Sequence, residues 1–121
     1  MIVAGFGFRA GTSVSSLRAA LALAQEGSPP VTLLATVADK APALAPLADA
    51  LGLALTGVSA DALTHPSTPT RSVASLKTRG AGSVAEAAAL AAAGPGARLL
   101  GSRHVSPDRM ATCAIAEGTA N

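Results

Sequence analysis

The feature that most constrains the fold is the alternation of short apolar runs with segments of helical period. Ile2 to Phe6 (IVAGF), Val31 to Val37 (VTLLATV) and Leu53 to Val58 (LALTGV) have the length and composition of buried strands. The segments between them place apolar residues on one helical face: Val14, Leu17, Leu21 and Ala24 in the first, and Leu44, Leu47, Ala48 and Leu51 in the second. Strands that are connected through a helix run parallel, with helices covering the sheet. The chain is therefore predicted to have an α/β fold.

Small polar caps, a first-turn proline and terminating glycines mark the helix boundaries. They are Thr12 or Ser13 with Gly27 and Pro29-Pro30 for the first helix, Pro42 with Gly52 for the second, and Ser83 with Gly94-Pro95 for the third. Ser83 and Glu86 also form the S-x-x-E pattern of a capping box, in which the glutamate reaches back to the backbone N–H of Ser83. The third helix then follows as an alanine-rich segment.

The last part of the chain predicts a hairpin. Arg98 to Arg103 and Met110 to Ala116 alternate weakly, and Ser106 to Asp108 supplies the turn between them. This antiparallel pair gives a mixed sheet of about five strands in a single three-layer α/β/α domain over residues 1–121. Residues 64 to 82 have no regular pattern, and they carry the basic residues Arg71, Lys77 and Arg79.

Composition excludes several classes of function. The nine Lys and Arg residues are scattered without interleaved aromatic residues, which argues against nucleic acid as a partner. No apolar run reaches the roughly eighteen residues of a membrane span, and no signal peptide is recognisable, so we expect a cytoplasmic protein without a membrane partner. Cys113 is the single cysteine, and we expect it to be a buried, unreactive thiol. His65 and His104 are far apart in the sequence, so no metal site is predicted.

Basic residues follow the first two strands. Arg9 comes after the first strand and Lys40 after the second. The carboxyl ends of parallel strands meet at one edge of the sheet, where ligands of open α/β sheets bind. Arg9 and Lys40, joined by Arg103 from the tail, predict a site for a small molecule with several negative charges. The simpler interpretation of Lys40 is a solvated loop lysine that pairs with Asp39.

The opening segment GFGFRA also matches G-x-G-x-x-G/A, the pattern of a dinucleotide-binding turn, which makes nucleotide binding an alternative. Two observations argue against it. Phe6, Phe8 and Arg9 crowd the turn, and Thr36 with Val37 stands where an acidic residue is expected at the end of the second strand. We expect Gly5, Gly7 and Gly11 to form a turn after the first strand that presents Arg9.

Four patterns in order resemble those of a known family. They are Gly5, Gly7 and Arg9 of G-x-G-x-R, the run LLATVADK that ends at Lys40, the block SVAEAAAL from Ser83 to Leu90, and ATCAIA from Ala111 to Ala116 with Thr112 in it. Together they resemble the CobE/CbiG carboxyl-terminal domain family of cobalamin biosynthesis, and the likeness extends from Met1 to Glu117. CbiG proteins carry further domains and open the lactone ring of a cobalt-precorrin with release of acetaldehyde. CobE proteins are the stand-alone domain, and the length of this chain is typical of that type.

The resemblance implies that the chain binds a polycarboxylate precorrin or corrinoid intermediate, as an accessory, carrier or pathway enzyme, with other cobalamin-pathway enzymes as partners and no cofactor. The ligand-binding residues that it indicates are Gly5, Gly7, Arg9, Lys40, Ser83, Glu86, Arg103 and Thr112. The basic side chains would pair with the ligand's carboxylates, and Phe6 or Phe8 could lie against its ring. The alternative is hydrolase-like lactone opening, with Glu86 as the candidate catalytic base and Lys40 or Arg9 balancing the charge.

Overall fold

The computed structural model describes residues 1–66 and 83–118 of the chain. Its elements, in chain order, are β1 (Ile2–Phe8), α1 (Val14–Gln25), β2 (Leu33–Val37), a 3-10 turn (Ala38–Lys40), α2 (Ala41–Leu51), β3 (Ala54–Val58), α3 (Ala60–Leu63), α4 (Val84–Ala93), β4 (Arg98–Leu99), β5 (His104–Val105) and β6 (Ala111–Glu117). The basic residues Arg71, Lys77 and Arg79, and most of the segment predicted to be irregular, lie outside the described residues.

The sheet is mixed, with the strand order β3-β2-β1-β6-β4 and with β5 also paired to β6. Strands β1, β2 and β3 are parallel, and β6 runs antiparallel to β1 over its whole length, from Ile2 opposite Glu117 to Phe8 opposite Ala111. The predicted hairpin is confirmed, but its first strand consists of two short strands, β4 and β5. Strands β4 and β5 pair with successive stretches of β6, so the part of the sheet that the described residues form is five strands wide although it contains six.

Side-chain alternation along the strands divides the core into two layers, which confirms the predicted α/β fold. One face of β1 and β6 packs against α1 and α2 through Ile2, Ala4, Phe6, Cys113 and Ile115. The opposite face packs against α3 and α4 through Val3, Ala35, Val37, Leu63 and Ala88. Buried apolar residues on both faces explain why the central strands read as continuous apolar runs.

The helix boundaries follow the capping residues. The Ser13 side chain accepts a hydrogen bond from the backbone N–H of Ser16 at 3.2 Å, and Ser83 accepts one from Glu86 at 3.3 Å. Gly52 ends α2 in the left-handed conformation, with φ 67°. These three predictions are confirmed, whereas α3, which Ser59 caps, was not predicted.

The predicted turn is confirmed for Gly11, which has φ +81°, but it was wrong for Gly5 and Gly7. Both of these residues lie within β1, and the chain turns only after Arg9. A Cβ atom on Gly5 would lie 2.1 Å from the carbonyl oxygen of Ala85 and 2.5 Å from the amide nitrogen of Ala89. Gly5 therefore allows the backbone of α4 to lie directly on β1.

Candidate ligand-binding site at the carboxyl edge of the sheet

Lys40 and Arg9 lie at the same edge of the sheet. Lys40 follows β2, and its ammonium group donates a hydrogen bond to the carbonyl oxygen of Phe8, the last residue of β1. The ammonium nitrogen also lies 5.1 Å from the centroid of the Phe8 ring, a cation–π geometry. Arg9 is the next residue along the chain. The predicted placement of both side chains at one edge is confirmed, and their binding of a ligand stays a prediction.

The backbone of Arg9 is fixed while its side chain is exposed. The N–H of Arg9 donates to the carbonyl oxygen of Met110 at 3.1 Å. Its carbonyl oxygen accepts hydrogen bonds from the N–H and the hydroxyl of Thr12, at 3.2 Å and 2.5 Å. Within residues 1–66 and 83–118, no carboxylate forms an ion pair with the guanidinium group. A fixed backbone with an exposed guanidinium is suited to capturing an anion from solution.

A second group of predicted residues lies where the amino terminus of α4 meets β1 and β6. The hydroxyl of Thr112 donates to the carbonyl oxygen of Gly7 at 3.1 Å. A Cβ atom on Gly7 would lie 2.9 Å from the Thr112 hydroxyl oxygen and 3.3 Å from Cβ of Val84. Ser83 is fully buried as the cap of α4. Gly5, Gly7 and Ser83 thus serve the packing of α4, and Thr112 serves the neighbouring strand pair.

This packing also bears on the nucleotide alternative. A pyrophosphate needs the glycine faces of its turn open to solvent. Here the backbone of α4 covers the face of Gly5, and Val84 with Thr112 covers that of Gly7. The geometry does not fit a dinucleotide cradle.

Glu86 is completely buried, a feature that the capping pattern did not reveal. One of its carboxylate oxygens, Oε2, accepts a hydrogen bond from the backbone N–H of Arg103 at 2.8 Å. The carboxylate therefore holds the connection between β4 and β5 against the first turn of α4, where the helix dipole also stabilises a negative charge. The sequence carried one signal for this burial. The run AEAAALAAA has no polar face, which is typical of a helix enclosed on all sides.

Arg103 is not placed beside Arg9. It precedes β5, whose residue His104 lies opposite Cys113 of β6, and Cys113 lies opposite Phe6 of β1. Arg103 is thus separated from β1 by strand β6, and along the strand direction it is level with the middle of β1, not with its carboxyl end. Arg103 is half-buried. The structure separates the predicted residues into a basic edge, formed by Arg9 and Lys40, and a packed group around the amino terminus of α4.

A cavity of about 290 Å³ lies elsewhere, at the carboxyl end of α1. It is lined by Ala24, Glu26, Gly27 and Ser28 from that end and by Leu100, Gly101, Ser102, His104 and Ile115 from the opposite wall. Because α1 begins at the basic edge and runs away from it, this cavity and the basic edge are at opposite ends of the helix.

Two further findings concern the described part of the chain alone. No group of three or more His, Cys, Asp or Glu side chains is arranged there as metal ligands. None of its helices has the length and apolar character to cross a membrane.

Comparison with known protein families shows the family to which the chain belongs. The family described as "Cobalamin synthesis G C-terminus" matches residues 2–116. The chain belongs to this family. The resemblance to the CobE/CbiG carboxyl-terminal domain family is thereby confirmed, and the protein is a cobalamin biosynthesis protein of the CobE/CbiG carboxyl-terminal type.

Solved structures of family members have the same fold. The structure of CobE, a protein from the cobalamin (vitamin B12) biosynthetic pathway, is similar with a TM-score of 0.87 and 32% sequence identity, over 100% of this chain and 92% of that chain. The cobalamin biosynthesis protein chiG from Agrobacterium tumefaciens str. C58 has a TM-score of 0.77 and 36% identity, over 99% of this chain and 100% of that one.

A more distant similarity shows the fold alone. A putative cobalamin biosynthesis protein G homolog from Sulfolobus solfataricus is 22% identical with a TM-score of 0.72, and the match covers 95% of this chain but 36% of that one. No curated protein sequence matches the chain.

Proposed function

We propose that this protein binds a precorrin or corrinoid intermediate of cobalamin biosynthesis at the basic edge, as a carrier or as an accessory to a pathway enzyme. The observation that carries the proposal is the exposed Arg9, directly after the Phe8 carbonyl to which Lys40 donates, in a chain that matches the cobalamin family over residues 2–116. Both cations stand at the carboxyl edge of parallel strands, the usual ligand position in such sheets.

The chemistry of these ligands fits the edge. Precorrins and corrinoids are flat apolar rings that carry several acetate and propionate groups. Arg9 offers a planar guanidinium that pairs with a carboxylate through two hydrogen bonds, and Lys40 offers a compact charge. Phe8 is half-buried beside Lys40 and supplies apolar surface, whereas Phe6 is fully buried in the core. Of the two aromatic residues expected near the ring, Phe8 therefore fits that role.

The burial of Glu86 favours binding over lactone opening. A general base that activates water must come within hydrogen-bonding distance of that water. The carboxylate of Glu86 is enclosed and accepts the backbone N–H of Arg103. In this arrangement Glu86 acts as a structural residue. If the protein released acetaldehyde from a precorrin lactone and Glu86→Gln abolished that release, the result would contradict this assignment.

The colour of corrinoids gives a direct test. The purified protein is mixed with cobyrinic acid or hydrogenobyrinic acid, the cobalt-containing and cobalt-free corrins with free side-chain carboxylates. It is then passed over a desalting column, and the visible spectrum of the protein fraction is recorded. Pigment should elute with the protein, and Arg9→Ala and Lys40→Ala should each weaken its affinity about tenfold, since each removes a charge-assisted hydrogen bond.

The matched control is Arg98→Ala. Arg98 is also exposed but lies at the opposite end of β6, where it pairs with Glu117 at 3.0 Å. Its loss makes the same change in net charge and should leave the affinity unchanged. Absence of pigment from the wild-type fraction, or equal affinity of all four proteins, would contradict binding at the basic edge.

A further inference from the structure

A carboxylate in the β5–β6 turn lies in a network that joins this turn to the start of α1. Oδ1 of Asp108 accepts hydrogen bonds from the hydroxyl of Ser106 at 2.6 Å and from the backbone N–H of Met110 at 3.1 Å. Its other oxygen, Oδ2, accepts the hydroxyl of Ser16 in the first turn of α1. Ser16 and Ser106 are both buried, so the carboxylate is held by two enclosed hydroxyl groups and one amide.

Met110 connects this network to the basic edge. Its carbonyl oxygen accepts the N–H of Arg9 at 3.1 Å, and at 3.2 Å it shares the hydroxyl proton of Thr12 with the carbonyl oxygen of Arg9. The N–H of Met110 is thus bonded to Asp108, and the carbonyl oxygen of Met110 is bonded to the backbone of Arg9. Met110 therefore links Asp108 to the residue that carries the exposed guanidinium.

The β5–β6 turn contains a residue in an unfavourable backbone conformation. Arg109, between Asp108 and Met110, has φ 62°, a left-handed backbone conformation that is unfavourable for a non-glycine residue. The N–H of Arg109 donates to the carbonyl oxygen of Ser106 at 2.8 Å, and the hydroxyl of Ser106 accepts the N–H of Ala111 at 3.1 Å. Without the Asp108 carboxylate, this turn loses two of the hydrogen bonds that maintain its conformation and the one that joins it to α1.

We propose that Asp108 is a positioning residue for ligand binding: through Met110 it fixes the backbone of Arg9 so that the guanidinium is presented to the ligand's carboxylates. This inference rests on the proposed function. Asp108 does not touch the ligand in this arrangement, and its effect on affinity passes through Arg9. A carboxylate is required because three donors are shared between two acceptor oxygens, whereas asparagine offers one acceptor oxygen.

A double-mutant cycle separates this role from a general contribution to stability. The proteins are wild type, Arg9→Ala, Asp108→Ala and the double variant, with hydrogenobyrinic acid and cobyrinic acid as probes. Asp108→Ala should weaken affinity about tenfold when Arg9 is present and less than twofold when Arg9 is replaced, because the lost interaction is shared. Its effect on the urea midpoint should be the same in both backgrounds, and Asp108→Asn should fall between wild type and Asp108→Ala in affinity.

Amide hydrogen exchange without ligand gives a second readout. Asp108→Ala should accelerate exchange at the N–H groups of Arg9 and Thr12, and Asp49→Ala should not. Asp49 is an exposed carboxylate near the carboxyl end of α2, away from the basic edge, so it controls for the loss of one negative charge.

The outcomes distinguish the two proposals. If wild type binds neither corrin, the proposed function fails. If wild type binds and Arg9→Ala weakens binding, but Asp108→Ala has no effect or an equal effect in both backgrounds, the positioning role fails while the function stands. Unchanged exchange at Arg9 and Thr12 in Asp108→Ala would overturn the positioning role with or without a ligand.

Discussion

At the scale of single residues, two carboxylates have different surroundings and therefore different roles. Glu86 is enclosed and bonded to the Arg103 amide, whereas Asp108 is exposed and bonded to two hydroxyl groups and an amide. The spacing of Ser83 and Glu86 predicted the helix start, because capping is local. The turn that contains Asp108 was also predicted locally, but its link to α1 was not, since Ser16 lies 92 residues away in the sequence. Contacts such as the one between Ser16 and Asp108 join residues that are distant in the sequence, so a single sequence does not predict them.

Replacement of Glu86 should separate its structural contribution from any chemistry. Glu86→Ala leaves a cavity and a buried Arg103 amide without its acceptor, so we expect the free energy of unfolding to fall by about 2–4 kcal/mol. Glu86→Gln keeps an oxygen for that amide and should cost about 1 kcal/mol. Urea denaturation measures both values. Equal losses in the two variants would contradict the role assigned to the Arg103 hydrogen bond.

The stability of the protein should depend on the ionisation of Asp108 in acid. The hydrogen bond from the Ser106 hydroxyl, followed by those from Ser16 and Met110, lowers the pKa of Asp108 below its usual value of 3.8. The charged form is thus favoured by folding, and its stabilising contribution is complete above pH 3.8 and lost as the pH falls through the lowered pKa.

Thermal unfolding at a series of pH values tests this dependence. The difference in melting temperature between wild type and Asp108→Asn should be constant from pH 5 to pH 8, and it should shrink below pH 3.8. A difference that stays constant into strong acid would show that another property of the substitution causes it.

At the scale of elements, the sequence predicted the parallel strands, the helix caps and the hairpin, because each has a periodic or local signal. It failed on the glycines of β1. Gly5 and Gly7 look the same in a turn and in a strand, and what distinguishes the two is contact with α4, nearly eighty residues further along the chain. Close helix–strand packing is a tertiary feature, and a single sequence does not encode it in a local pattern.

Substitution of these two glycines by alanine should therefore lower the free energy of unfolding to different extents. Gly5→Ala places its Cβ 2.1 Å from the backbone oxygen of Ala85, so α4 must move, and we expect a loss of about 3 kcal/mol in unfolding free energy. Gly7→Ala meets the Thr112 hydroxyl at 2.9 Å, which a side-chain rotation relieves, so about 1 kcal/mol is expected.

The control for this series is Gly101→Ala, because among the described residues no atom beyond Gly101 and its two chain neighbours lies within 4 Å of a Cβ built there. It should change the urea midpoint little. If Gly5→Ala were as stable as Gly101→Ala, the result would contradict the close packing of α4 on β1.

At the scale of the whole molecule, Cys113 reports on the integrity of the sheet. It lies in β6, between β1 and β5, and it packs in the layer covered by α1 and α2. Burial raises the pKa of its thiol. The expectation of a buried thiol is confirmed by its complete burial. Its reactivity in the native state stays a prediction.

Thiol labelling should follow the opening of the molecule. We expect native Cys113 to react with a disulfide reagent far more slowly than in urea, with a rate proportional to the open population. Leu17→Ala, in the same layer, should cost about 3 kcal/mol and raise the labelling rate about a hundredfold if opening is global. Rapid labelling of the native wild type would contradict this expectation.

The pairing of β1 with β6 also determines how the molecule responds to force. The two strands are antiparallel, with Ile2 opposite Glu117, and the N–H of Gly118 donates to the carbonyl oxygen of Met1 at 2.9 Å. Tension applied between Met1 and Gly118 would therefore load one hydrogen-bonded pair at a time and peel β1 and β6 apart from that end, as a zipper opens, instead of shearing all their hydrogen bonds together.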